Sequence, residues 1–115
     1  MNNATTRSPI VERCIVQVAV GDILQAGYRI AVYRLSSYEV DATNDAAVVL
    51  TAAERCTACD LHVFERTDAG DGWKRIGFVK LKFGTEHWGV IEDHSISLAP
   101  ALTNADALIK QLKKV

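Results

Sequence analysis

Net charge of one sign, long apolar runs, proline and paired cysteines are all scarce in this 115-residue chain. Each scarcity removes a class of function. Thirteen Lys and Arg against fourteen Asp and Glu leave a formal charge of −1. A dedicated nucleic-acid binder carries a basic excess, because neutralising phosphates drives its affinity, so nucleic acid is not the partner expected. No apolar run approaches the length that spans a bilayer, and no membrane partner is expected. The first nine residues, Met1 to Pro9, lack the apolar stretch of an export signal, which makes the cytoplasm the expected compartment. Three cysteines, with one close pair, are a poor disulfide framework and agree with that compartment. GxSxG, HExxH and P-loop signatures are absent too, so no catalytic residue and no cofactor is assigned.

What is present suits one globular domain. A chain of this length buries roughly two thirds of the surface its unfolded form exposes, and folds without staples. Apolar residues make up 49% and charged residues 23%, an ordinary globular mixture. Residues 1–8 are small and polar and read as a flexible tail, leaving 9–115 as a single domain.

Hydrophobic periodicity supplies the elements. Cys14 to Val20, CIVQVAV, alternates β-branched residues and predicts a first strand with Cys14, Val16, Val18 and Val20 on its inner face. Tyr28 to Leu35 alternates again and predicts a second strand, carried past Ser36-Ser37 to Val40 after a bend. Thr43 then caps a helix reaching Cys59, whose stripe Ala46, Val49, Leu50, Ala53 and Cys56 has helical spacing. Leu61–Thr67 and Trp73–Phe83 predict a hairpin around TDAGDG, and Trp88–Leu98 a fifth strand stopped by Pro100. Thr103 caps a last helix with Asp106 three residues on and lysines at its end. The order ββαβββα predicts an α+β domain: a four- to five-stranded, mainly antiparallel sheet with two helices.

ERCTACDLH, Glu54 to His62, holds the densest chemistry. Cys56 and Cys59 have zinc-knuckle spacing and His62 could add a third ligand, with Cys14 or His94 as a fourth. A second closely spaced pair is missing, and the cysteines fall at a helix C-terminus, where the dipole opposes a thiolate. Packed cysteines are therefore the reading preferred, and no metal is assigned.

Lys74, Gly77, Phe78 and Val79 resemble in part the RNP1 segment of RNA recognition motifs, over eight residues. Arg75 stands in place of a glycine, and Ile76 and Leu81 in place of aromatics, so the family's function is not carried over. Alternation puts Lys74, Ile76, Phe78, Lys80 and Lys82 on one face, with Phe78 as a stacking platform. The aspartates of TDAGDG lack calcium-loop spacing and fit a hairpin loop. Glu86-His87-Trp88 and Glu92-Asp93-His94 bring carboxylates near imidazoles, but neighbours in a strand point to opposite faces and form no dyad. Trp73 and Trp88 stand beside turns, where large rings anchor interfaces.

The expected function is a small, non-catalytic cytosolic binding protein acting on a protein partner or on itself, as a homodimer, through a surface holding Trp73, Trp88, His87, Phe78 and Tyr33. Size and the lack of chemistry suit accessory proteins of mobile elements, such as inhibitors or immunity proteins. The competing expectations are a small-molecule site or enzyme pocket between sheet and central helix, and a zinc-stabilised or single-strand nucleic-acid-binding module.

Overall fold

The computed structural model describes residues 3–67, 72–84 and 89–113, with side chains from Ile10 onward. It is an α+β fold: helix α1 (Asn3–Gln25), strands β1 (Arg29–Arg34) and β2 (Ser37–Thr43), helix α2 (Ala46–Glu54), strands β3 (Ala58–Arg66), β4 (Trp73–Lys82) and β5 (Ile91–His94), and helix α3 (Thr103–Lys113). The five strands form one antiparallel sheet in the order β2-β1-β3-β4-β5.

The expected first strand is the main correction. Cys14–Val20 lies inside α1, whose bounds also take in most of the segment read as a tail. The buried residues Glu12, Ile15, Val16, Ala19, Val20 and Ile23 recur at intervals of three and four, a helical stripe. Cys14 falls off that stripe and is exposed, not packed inside. Gly27, at φ 99°, closes the helix, a conformation side chains with a Cβ adopt at a cost.

Strand number survives because the second expected strand is two. Leu35 and Ser36, at φ 52° and 69°, form a two-residue turn that pairs Arg34 with Ser37 and Tyr33 with Tyr38. Helix α2 starts later than expected. Asp45, not Thr43, is its N-cap, accepting from the N–H groups of Ala47 and Val48, while the Thr43 hydroxyl accepts from the Asp45 N–H. It also ends earlier, so Cys56 follows the helix and Cys59 belongs to β3.

The fifth strand is shorter than expected. After His94 the chain turns over β4: Ser95 donates its N–H to the Phe78 carbonyl, its hydroxyl accepts from the Phe78 N–H, and Ser97 donates to the Ile76 carbonyl. A 3₁₀ helix, Ile96–Leu102, follows with Pro100 inside it rather than ending a strand. It runs straight into α3. Thr103 is accordingly helical, with its hydroxyl donating back to the Ala99 and Pro100 carbonyls, and does not cap.

The core joins one sheet face to the helices. Ile30, Val32, Leu61, Val63, Val79 and Leu81 meet Ile15, Val16, Val20 and Ile23 of α1, Val49 and Ala53 of α2, and Leu98, Leu102 and Ala105 beyond β5. Helix α1 packs against α2, α3 and the 3₁₀ helix. The residues that alternate with these core positions lie on the other face of the sheet. That face carries the site.

Candidate functional site on the helix-free sheet face

Strand register arranges this face in three rows. Tyr33, Asp60, Lys80 and Asp93 pair successively across β1, β3, β4 and β5. The next row holds Ala31, His62 and Phe78, and the third Arg29, Phe64 and Arg75. A bulge between Val63 and Phe64 decides the third row, because it puts Arg75 opposite Phe64. Ile76 turns inward and packs on the core. The face expected from simple alternation along β4 is corrected there: Phe78, Lys80 and Lys82 share a face, but Arg75 replaces Ile76 and Lys74.

His62 is the centre. It is 6% exposed, enclosed by side chains from neighbouring strands. Tyr33 stacks on its ring at 4.7 Å and 22°, and Tyr38 meets it edge-on at 5.4 Å. The Tyr38 hydroxyl lies 2.9 Å from Nδ1, and the Arg75 Nη1 lies 3.3 Å from Nδ1 and 3.5 Å from Nε2. Burial first, then the Arg75 cation, lowers the His62 pKa below its ordinary 6.5, with Asp60 opposing weakly. The phenol, able to donate or accept, and the guanidinium, which only donates, both border the ring nitrogens and hold the ring's orientation. Arg29 lies over Trp73, 4.3 Å from the ring centroid.

Three cations of the sheet are matched by carboxylates. Lys74 is 3.9 Å from Glu65, Lys80 is 3.9 Å from Glu92 and Arg34 is 3.3 Å from Glu39. Among the described residues no carboxylate pairs with Arg75, and no cation pairs with Asp60. A shallow depression of about 310 Å³ lies between them, lined by Asp60, His62, Arg75, Phe78, Lys80 and Asp93.

The residues expected in a site divide accordingly. Tyr33 and Phe78 stand on this face, and Trp73 holds Arg29 at its border. Trp88 and His87 lie outside the described residues, as do Asp68 to Asp71 of the hairpin loop. Tyr38, Asp60 and Arg75 were not expected. The two-residue turn at Leu35-Ser36 pairs residues 33 and 38 and so brings Tyr38 to the site, but those residue types do not announce a turn.

The candidate metal ligands do not converge. Cys59 is on the core side of β3 and His62 on the opposite side, so the strand separates them. Burial, and then the neighbouring Cys56, push the Cys59 thiol up to about 12, which opposes the thiolate zinc requires. The described residues contain no group of three His, Cys, Asp or Glu able to hold a metal.

Between α2 and the β1–β2 hairpin lies a recess of about 430 Å³, lined by Arg34, Glu39, Thr51, Arg55 and the apolar side chains of Val40 and Val48. Neither Tyr33 nor His62 reaches it. Among the described residues no helix is long and apolar enough to cross a membrane. No family model matches the chain, and no curated protein or solved structure does so either.

Proposed function

We propose that this chain is a non-catalytic cytosolic binding protein that engages a protein partner through the helix-free face of its sheet. One observation carries the reading: Tyr33, Tyr38, His62 and Arg75 interlock on a face that none of the described helices covers. Tyrosine and arginine are the side chains that most often dominate protein interfaces. Fixing them in advance lowers the ordering cost of binding. Asp60 and Asp93 share the depression with Arg75 and Lys80, a mixture of both signs that suits a protein surface better than a run of phosphates. Chemical cross-linking in the cells that make the protein tests this, comparing wild type with Arg75→Glu and Tyr38→Glu. Cross-links that vanish in both folded variants support the reading. Cross-links unchanged by either variant sink it.

A second reading rests on the recess beside α2. There the Arg34 Nε is buried and, among the described residues, has no hydrogen-bond partner, while Arg55 lines the same recess. Two guanidinium groups beside Thr51 suit a small carboxylate or phosphate. Isothermal titration with inorganic phosphate and with acetate tests that reading, and heat absent in both titrations removes it.

A further inference from the structure

The partner itself is open to inference from the order of charges on the face. Asp60 and Asp93 stand in one outer row, Arg29 and Arg75 in the other, and the rings of His62 and Phe78 lie between them. Within the acidic row, Lys80 is engaged by Glu92. At one end Asp60, Asp93 and Glu92 outnumber Lys80 and Lys82, and at the other Arg29 and Arg75 outnumber Asp41 beside Phe64, so a net acidic end and a net basic end flank an aromatic middle. A closed dimer needs a patch that complements itself when turned through 180°. This one does. A two-fold axis running along the His62–Phe78 row, between two facing sheets, lays the basic row of each copy over the acidic row of the other. Arg75 on β4 then falls over Lys80 of the facing copy, a lysine held by Glu92, with the Asp60 carboxylate on β3 to one side and the Asp93 carboxylate on β5 to the other, and the contact occurs twice.

We infer that the face binds a second copy of this chain, forming a symmetric sheet-on-sheet dimer in which Arg75 takes the Asp60 and Asp93 carboxylates of the other protomer. The inference rests on the proposed binding role of the face and names its partner. Size agrees. Five strands about 4.8 Å apart, and about 25 Å long, present roughly 600 Å² of sheet per copy. Two copies bury about 1,200 Å², the lower end of specific interfaces. Rotation about an axis at right angles to the strands also keeps the strands of the two layers near alignment, as packed sheets prefer. Arg75 then gains the carboxylate it lacks among the described residues of its own chain.

Sedimentation velocity over a concentration series tests the inference with three full-length proteins: wild type, Arg75→Asp and Asp60→Arg. Wild type is expected to dimerise, and each single variant to dimerise about 100-fold more weakly, because like charges then face each other twice. Mixing the two variants is the decisive experiment. Across the mixed interface the two substituted positions face each other on one side, with their charges exchanged. The native Arg75 and Asp60 meet on the other side, so a heterodimer of near wild-type affinity is expected. Circular dichroism confirms that each variant is folded, and Tyr38→Glu gives a second route to dissociation that leaves both charges in place. A wild type that sediments as a monomer at several hundred micromolar overturns the inference. So does a dimer that survives both reversals. If the wild type is monomeric while its cellular cross-links to another protein still depend on Arg75, the second copy is excluded and the binding role of the face stands.

Discussion

The hydroxyl of Tyr38, on the edge strand β2, reaches over β1 to lie 2.9 Å from Nδ1 of His62 on β3. Only side chains leaning across the intervening strand allow this, and small Ala31, directly opposite His62, leaves the room. The contact couples the sheet's edge to its middle on the face without helices.

The first expected outcome concerns protonation. Burial, followed by the Arg75 cation, lowers the His62 pKa. A histidine whose folded pKa lies below its unfolded value binds protons less readily when folded. Its contribution to stability is therefore complete above pH 6.5 and is lost as pH falls through the lower folded value. Arg75→Gln removes one of the two causes and should raise the His62 pKa, though not fully to 6.5, because burial remains. Nitrogen-15 NMR titration reads both the pKa and the tautomer, with Nδ1 expected as acceptor and Nε2 protonated. An ordinary His62 titration in the wild type would contradict the geometry.

How much of this was legible in the sequence depends on the length over which a period was read. Seven residues, Cys14–Val20, alternate as a strand would. Twelve residues, Glu12–Ile23, show helical spacing, and a buried glutamate hid its first member. The β3–β4 hairpin and α3 were readable because their periods are long and undisturbed. The bulge at Val63/Phe64 was not, since nothing local in β4 announces a mismatch with its neighbour, and the swap of Arg75 for Ile76 depends on it. Leu35-Ser36 hid the first hairpin because neither residue belongs to the types that usually accept φ > 0.

That turn yields the second outcome. Both residues hold a left-handed conformation that costs side chains about 1–2 kcal/mol each. Replacing Leu35-Ser36 with Asn-Gly should stabilise the protein by about 1 kcal/mol, after the entropy glycine adds to the unfolded chain. Urea unfolding measures it. A variant less stable than wild type would show that exposed Leu35 packs against something the turn geometry leaves out.

Thiol reactivity gives the third. Cys14 is exposed on α1, whereas Cys56 and Cys59 are buried. With the Cys59 thiol pushed up to about 12 from 9.0, its thiolate is scarcer by about a thousandfold at neutral pH. Iodoacetamide labelling of the native protein, read by mass spectrometry, should modify Cys14 alone, and all three cysteines in urea. Native labelling of Cys59 at the rate of Cys14 would refute the assignment.

Close approach at Gly77 gives the fourth. A Cβ there would lie 2.8 Å from the Ser95 Oγ and 2.9 Å from its Cβ. Ser95 cannot retreat without giving up its bonds to Phe78, on which the turn after β5 depends. Gly77→Ala should therefore destabilise by about 1–3 kcal/mol, the usual range for overpacking. Adding Ser95→Gly should recover part of the loss by removing both clashing atoms. If the double variant is no better than Gly77→Ala, the clash is not the cause.

The last expected outcome concerns Glu12, the one carboxylate among the described residues with almost no exposed surface, at 1%. It sits on α1 and accepts the Gly84 N–H with both oxygens, at 3.1 Å and 2.9 Å, from a residue 72 positions away. Gly84 just follows β4 and holds φ 85°, so its N–H is offered to the helix by a backbone conformation suited to glycine. The bond ties the long helix to the end of the central hairpin. Glu12→Ala leaves that N–H unpaired and should cost about 1–3 kcal/mol. Glu12→Gln gives up the charge and one of the two acceptor oxygens but leaves the Gly84 N–H a partner, and should lose less. Hydrogen exchange locates the effect: in both variants the Gly84 amide should exchange faster, while Val63 and Val79 in the middle of the sheet keep their ranking. Uniform acceleration of every amide would mean that Glu12 supports the whole fold equally, with no special tie to Gly84.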